Sequence, residues 1–254
     1  MRVLVIGYGS IGARHVEILK EMGFEVSVLT KQQRLPERTF RSLKDALSFN
    51  SPDYVIIANK TYEHYFTLNN LAEIGFEGAV LVEKPLFHEI CVLPQHKFKG
   101  AWVGYNLRFH PLIQKLRRII EKEPAISVQV IAGQYLPHWR PATDYRLSYS
   151  ARRQEGGGVL RDLSHELDYV QWLTGPIAVK YVVNEKVSDL DIETDDIDAE
   201  VERLLAEGNQ LEMESLDENG NRSSACYINS ELNVRLEIFP SSGRENLMKA
   251  IGIA

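Results

Sequence analysis

MRVLVIGYGSIGARH, residues 1–15, is the stretch on which the fold turns. The apolar run at residues 3–6 predicts a strand. Gly7-Tyr8-Gly9-Ser10-Ile11-Gly12 follows at once, and a helical pattern runs over residues 11–22. A G-x-G-x-x-G alone is a weak signal, but between a strand and a helix it marks a dinucleotide-binding turn. Gly7 permits the tight turn, Gly9 lets the backbone approach a pyrophosphate, and Gly12 lets the helix pack closely on the strand. Unpaired N–H groups at the helix start then face a dianionic ligand, with Tyr8, Ser10 and Ile11 completing the cradle.

The alternation continues outward from this motif. Strands are expected at residues 25–29, 54–58, 79–82 and 101–104, and helices at 43–48, 63–74 and 111–122. In the last helix Leu112, Leu116, Ile119 and Ile120 repeat at helical spacing beside Lys115, Arg117 and Arg118. Continuous apolar strands alternating with helices imply a parallel sheet covered on both faces. The character changes near residue 123. A strand is expected at 127–135, then a polar, aromatic stretch, then Gly156-Gly157-Gly158 opening a single helix over about 159–173 that Gly175-Pro176 ends. Further strands are expected at 179–183, 210–214 and 232–239, the last alternating apolar and polar residues as one face of an antiparallel sheet does; 197–208 reads as either strand or helix. The expected architecture is an α/β Rossmann domain, residues 1–106, followed by a second α+β domain built on an open, mainly antiparallel sheet, residues 107–254.

Composition narrows the function classes. The 254 residues are 44% hydrophobic, with a net charge of −6 and no basic excess of the kind nucleic-acid binding needs. No apolar run reaches the length of a membrane span. The first strand begins at Arg2, which leaves no room for a signal peptide and points to the cytoplasm. Cys91 and Cys226 lie far apart and outside any metal-type spacing, so neither a metal nor a disulfide is expected.

Three motifs in order, G-x-G-x-x-G, Glu83-Lys84-Pro85 and G-G-G-x-L-x-D-x-x-H-x-x-D (Gly156 to Asp168), resemble the Gfo/Idh/MocA oxidoreductases. Residues 104–111, Gly-Tyr-Asn-Leu-Arg-Phe-His-Pro, and Ile56-Ile57-Ala58 followed by His64 add to the resemblance, which covers about residues 1–205. It implies an NAD(P)-dependent enzyme acting on a CH–OH group. Ala58, Asn59, His64, Glu83 and Lys84 then join the cofactor site, and Asn106, Tyr145 and His165 the substrate site. The stretch 136–146 is similar to members acting on sugars or sugar nucleotides in surface-glycan biosynthesis. The resemblance also implies a homodimer or homotetramer.

The residues carry matching chemistry. Oxidising a secondary alcohol needs a hydride acceptor, a base, and a cation for the developing alkoxide. His165 suits the base, because its ordinary pKa lies near neutrality. Lys84 follows a strand at the carboxyl edge, where α/β sheets bind ligands, and its ammonium can steady an alkoxide. Asp162 stands three residues before His165, on the same face of one continuous helix, where it can orient the imidazole. Alignment on His165 in the more usual family spacing instead places Arg161 in the aspartate's position. Family members often carry proline and asparagine where this chain has Lys60 and Thr61. Arg108, Arg140, Arg146, Arg152 and Arg153 flank the expected cleft in sequence and suit a substrate bearing phosphate or carboxylate. Asp168 has no assigned role, and Trp172 is expected in a core. The second strand ends without the acid that usually reads the ribose of NAD; Thr30, Lys31 and Arg34 stand there instead and favour NADP over NAD. A non-catalytic dinucleotide or sugar sensor, or an assembly subunit, on the same scaffold is the alternative.

Overall fold

The computed structural model describes residues 1–33, 35, 37–123, 128–130, 132, 135–139, 144–176, 186, 188–194, 210–216, 222–229 and 234–238. The chain divides into two units, Met1–Tyr105 with Gln154–Gly156, and Asn106–Arg153 with Gly157–Ala254. Arg34, Arg140, the strand expected at 179–183 and the segment 197–208 lie outside the described residues.

The first unit runs β1 (Arg2–Ile6), α1 (Ser10–Glu21), β2 (Glu25–Leu29), β3 (Arg38–Phe40), α2 (Leu43–Asn50), β4 (Tyr54–Ile57), α3 (His64–Glu73), β5 (Ala79–Val82) and β6 (Gly100–Val103). Its six strands lie in the order β3-β2-β1-β4-β5-β6, every pair parallel. The strand side chains alternate between two apolar layers. Val3, Val5, Val28 and Ile56 meet Val16 and Leu19 of α1. Leu4, Ile6, Val55, Ile57, Val80 and Val82 meet Ala46 of α2 and Leu68 and Leu71 of α3. Burial on both faces explains why these strands read as unbroken apolar runs. Each such Val, Leu or Ile contributes about 1.5–3 kcal/mol by leaving water. The chain reverses direction across the sheet between β1 and β4, and that switch point is where doubly wound sheets bind ligands.

The second unit contains α4 (Pro111–Ile120), β7 (Gln129–Val130), α5 (Leu136–Trp139), α6 (Val159–Asp162), α7 (Ser164–Thr174), β8 (Gln210–Leu216), β9 (Arg222–Asn229) and β10 (Val234–Ile238). His110 caps α4 by accepting the Leu112 N–H, and Pro111 occupies the first helical position, where its missing N–H costs nothing. The Arg117 guanidinium lies over the Trp172 ring, 4.1 Å from its centre, tying α4 to α7. β8 pairs antiparallel with β9 and β9 with β10, whereas β10 pairs parallel with β7. The single helix expected over 159–173 is two helices, because Leu163 leaves helical geometry at φ −103°, ψ 31°.

Candidate active site

The glycine turn closes β1 onto its neighbours. The Gly7 N–H donates to the Leu29 carbonyl at 2.9 Å, and Gly7 has φ +96°. A Cβ on Gly7 would stand 2.5 Å from the Ala58 carbonyl oxygen and the Asn59 nitrogen, at the end of β4. A Cβ on Gly12 would overlap the Gly7 carbonyl oxygen, so α1 can start here only on a glycine. Gly9 differs: its Cβ position meets no atom within 4 Å. The fold therefore needs Gly7 and Gly12, whereas the open space at Gly9 suits an incoming group. Ser10 and Ile11 are exposed beside it. Asn59 donates through Nδ2 to Thr67 Oγ1 at 2.9 Å, while its Oδ1 is buried with no hydrogen-bond partner. This cradle, at the start of a helix with no side-chain cap, fits a dinucleotide pyrophosphate.

Beyond β2, Thr30 Oγ1 accepts the Gln32 N–H at 3.2 Å, Gln32 Nε2 donates to the Tyr8 carbonyl at 2.8 Å, and Lys31 is exposed. Glu37, one residue past the acid-free stretch, is a carboxylate that the sequence reading missed. Its side chain is only 5% exposed and meets Lys20 Nζ at 3.3 Å. Burial first, and then the Glu37 charge, hold the Tyr8 phenol above its ordinary pKa.

β5 delivers Glu83 and Lys84 to the carboxyl edge of the same sheet, two strands from the glycine turn. The Glu83 N–H donates to Ile57 O at 2.9 Å. His15 Nε2 of α1 donates to Glu83 Oε1 at 2.7 Å, and the Lys84 N–H donates to Glu83 Oε2 at 3.3 Å. The Lys84–Pro85 peptide is cis. His64 is 1% exposed. Its Nδ1 faces the Pro85 and Leu86 carbonyls at 3.1 and 3.2 Å, and its Nε2 the Asn59 carbonyl at 3.2 Å. The ring is thus enclosed by three backbone carbonyls. Burial holds its pKa below the ordinary histidine value, against the opposing pull of the three carbonyls. An unfolded chain therefore takes up this proton first as pH falls, so His64 contributes a loss of stability below about pH 6.5 and none above it. Ring-proton NMR should show His64 titrating below the exposed histidines; a midpoint at or above theirs contradicts the burial argument.

Glu155 belongs to the same unit. Its carboxylate pairs with Lys60 at 3.1 Å and raises the lysine's pKa, and Gly156, at φ +87°, packs on Thr61 and His88. The two residues at which the chain departs from the family pattern thus hold this segment.

In the second unit, Asp162 is buried at the end of α6 and His165 is half-buried in the first turn of α7. The break at Leu163 removes the premise that the pair shares one continuous helix face. Arg161 Nη1 donates to the Gly157 carbonyl at 2.8 Å, which engages it locally. Arg108 is engaged as well: its Nε and Nη2 donate to Asp168 at 2.8 and 2.5 Å, and the Asp168 side chain is 9% exposed. Asp168 thus holds the guanidinium fork that was expected to grip substrate. Arg146 grips Asp144 through Nε at 2.9 Å and Nη2 at 2.8 Å, which holds the Asp144 carboxyl below its ordinary pKa. Both arginines thus pair with nearby carboxylates. Tyr145 lies in a short turn beside Arg146, and Asn106 is exposed. Among the described residues no cluster of three or more metal-type ligands forms, and no helix is long and apolar enough to cross a membrane.

Residues 1–93 match the family model for the Gfo/Idh/MocA oxidoreductases, described as an NAD-binding Rossmann fold. Those residues are similar to that family's Rossmann domain. The chain is 26% identical over 203 residues to an uncharacterized oxidoreductase of Synechocystis sp., covering 69% of this chain and 52% of that relative. It therefore spans about half the length of the curated relative it matches. Among solved structures, the WlbA dehydrogenase of Thermus thermophilus, in complex with NAD and UDP-GlcNAcA, superposes with a TM-score of 0.63 at 16% identity, over 98% of this chain and 78% of that one. The WlbA dehydrogenase of Bordetella pertussis, with NADH and UDP-GlcNAcA, gives 0.61 at 17%, over 94% and 69%. At these identities the likeness is one of fold. The glycine turn and the Glu83–Pro85 turn both lie within the residues that match the family model.

Proposed function

We propose that this chain is an NAD(P)-dependent oxidoreductase that exchanges a hydride with a secondary alcohol or ketone of a sugar nucleotide. The observation that carries the reading is Lys84, delivered by β5 to the sheet edge that also holds the open Gly9 cradle. A bound nicotinamide supplies the hydride acceptor or donor. Gly9, Ser10 and the start of α1 receive the pyrophosphate. The Lys84 ammonium polarises the carbonyl, or steadies the alkoxide as the hydride leaves its carbon. The His165 imidazole takes the hydroxyl proton in oxidation and returns it in reduction. Asp162, three residues before it, orients the ring. The sugar-nucleotide class is supported by the WlbA likeness and by the segment 136–146; the family resemblance supports a homodimer or homotetramer, and the two separated cysteines support a cytoplasmic location. The test is the pH–rate profile: His165→Asn should remove the limb that reports imidazole ionisation, and an unaltered profile contradicts the role.

For the dinucleotide, Lys31 favours a 2′-phosphate and the absence of an acid at the end of β2 removes the main barrier to it, while Glu37 pulls the other way. NADPH should bind more tightly than NADH, and its affinity should fall with added salt. Glu37→Gln should widen the preference. Tighter NADH binding by the wild type overturns this choice.

A further inference from the structure

We propose that His15 and His64 are positioning residues for Lys84, bracing the Glu83–Leu86 turn from two sides; this rests on the role given to Lys84 above. On one side, His15 of α1 donates to Glu83 at 2.7 Å, and the other carboxylate oxygen takes the Lys84 N–H at 3.3 Å. The pair is only 21% and 14% exposed, so water competes weakly for it. A Cβ on Gly104 of the neighbouring chain segment would come within 3.0 Å of both Glu83 carboxylate oxygens, so the carboxylate is confined on a third side. On the other side, the buried His64 ring faces the Pro85 and Leu86 carbonyls with one nitrogen and the Asn59 carbonyl with the other.

The four residues of the turn contain no regular secondary structure, and Pro85 supplies no N–H. Beyond the Glu83 N–H on Ile57 O, their position is held by side chains reaching in from α1 and α3, the helices that begin at the glycine cradle and at His64. The same two helices thus border the proposed cofactor site and hold the lysine, which couples cofactor seating to ammonium placement. A displacement of about 1 Å in a reacting group costs up to about 10²-fold in rate.

His15 is the better probe, because it is not fully buried and its loss leaves the core intact. His15→Leu removes the donor, and His15→Gln restores one. With the wild type turning over, His15→Leu should lower kcat by about 10-fold with cofactor Kd changed less than about 2-fold, and His15→Gln should recover most of it. An unchanged kcat in His15→Leu, an equal loss in both variants, or a loss matching the fraction unfolded overturns the brace. A second readout is independent of turnover. Hydrogen exchange of the peptide spanning residues 83–90 should quicken in His15→Leu while peptides in β1 and β4 stay protected. Unchanged exchange there overturns the brace, and quickened exchange supports it, even if the wild type oxidises no sugar. An inactive wild type with a quickened peptide counts against the function alone.

Discussion

Lys84→Ala lowers turnover by about 10²-fold or more while cofactor affinity stays nearly constant. Removing the ammonium deletes charge stabilisation that matters mainly when the oxygen carries developing charge, so the loss falls on kcat rather than on binding. The backbone argument supports the selectivity. The turn is held through the Glu83 N–H on Ile57, the Glu83 carboxylate on His15 and the carbonyls of Pro85 and Leu86 on His64, none of which uses the lysine ammonium. The variant should therefore fold with the wild-type Tm. Steady-state rates together with fluorescence titration of reduced cofactor check both halves. Wild-type turnover in Lys84→Ala removes the lysine from the chemistry.

The glycines of the first turn should separate by consequence although they share a motif. Gly12→Val drives side-chain atoms into the Gly7 carbonyl at the start of α1, where backbone faces backbone and neither can yield. The first domain should lose its cooperative unfolding transition or drop sharply in Tm. At Gly9 the Cβ position meets no protein atom within 4 Å, so Gly9→Val should leave Tm within a few degrees of wild type. Its cofactor Kd should nevertheless rise by about 10²-fold, because the added methyls occupy the approach that the pyrophosphate needs. Calorimetry and cofactor titration on the two variants give the crossed pattern. A Gly9→Val protein that binds cofactor normally contradicts the cradle.

Much of the first domain is readable from the chain because its strands are buried on both faces. Residues 25–29 and 79–82 coincide with β2 and β5, and the other expected strands match β1, β4 and β6 to within a residue or so. Arg38–Phe40 was not readable: three residues at the sheet edge carry no apolar run to announce them. Glu37 was missed because it lies beyond the span where a ribose-reading acid is looked for, although β3 brings its neighbourhood back beside β2. The helix break at Leu163 has no glycine or proline to mark it, so an uninterrupted helical pattern concealed it.

The site was legible in its residue types and less so in its partnerships. The distinction among Gly7, Gly9 and Gly12 could be drawn from the motif and reappears in what a Cβ would meet at each. Arg108 and Asp168 are 60 positions apart, and nothing local says that one neutralises the other. His64 reads as a polar residue near a cofactor loop; only its burial and its three carbonyl neighbours make it a support. Arg146 and Asp144 stand two apart in a turn, and that pairing was open to a local reading.

The most direct measurement mixes the purified chain with NADP or NAD and a panel of UDP-linked sugars and follows reduced-nicotinamide absorbance alongside mass spectrometry of the sugar. Reduced cofactor should appear in one-to-one proportion with a sugar nucleotide that has lost two hydrogens, and Lys84→Ala should slow both signals together by about 10²-fold or more. Saturable binding of cofactor and sugar nucleotide, with neither changing oxidation state in either direction, would contradict an oxidoreductase and identify a sensor on the same fold.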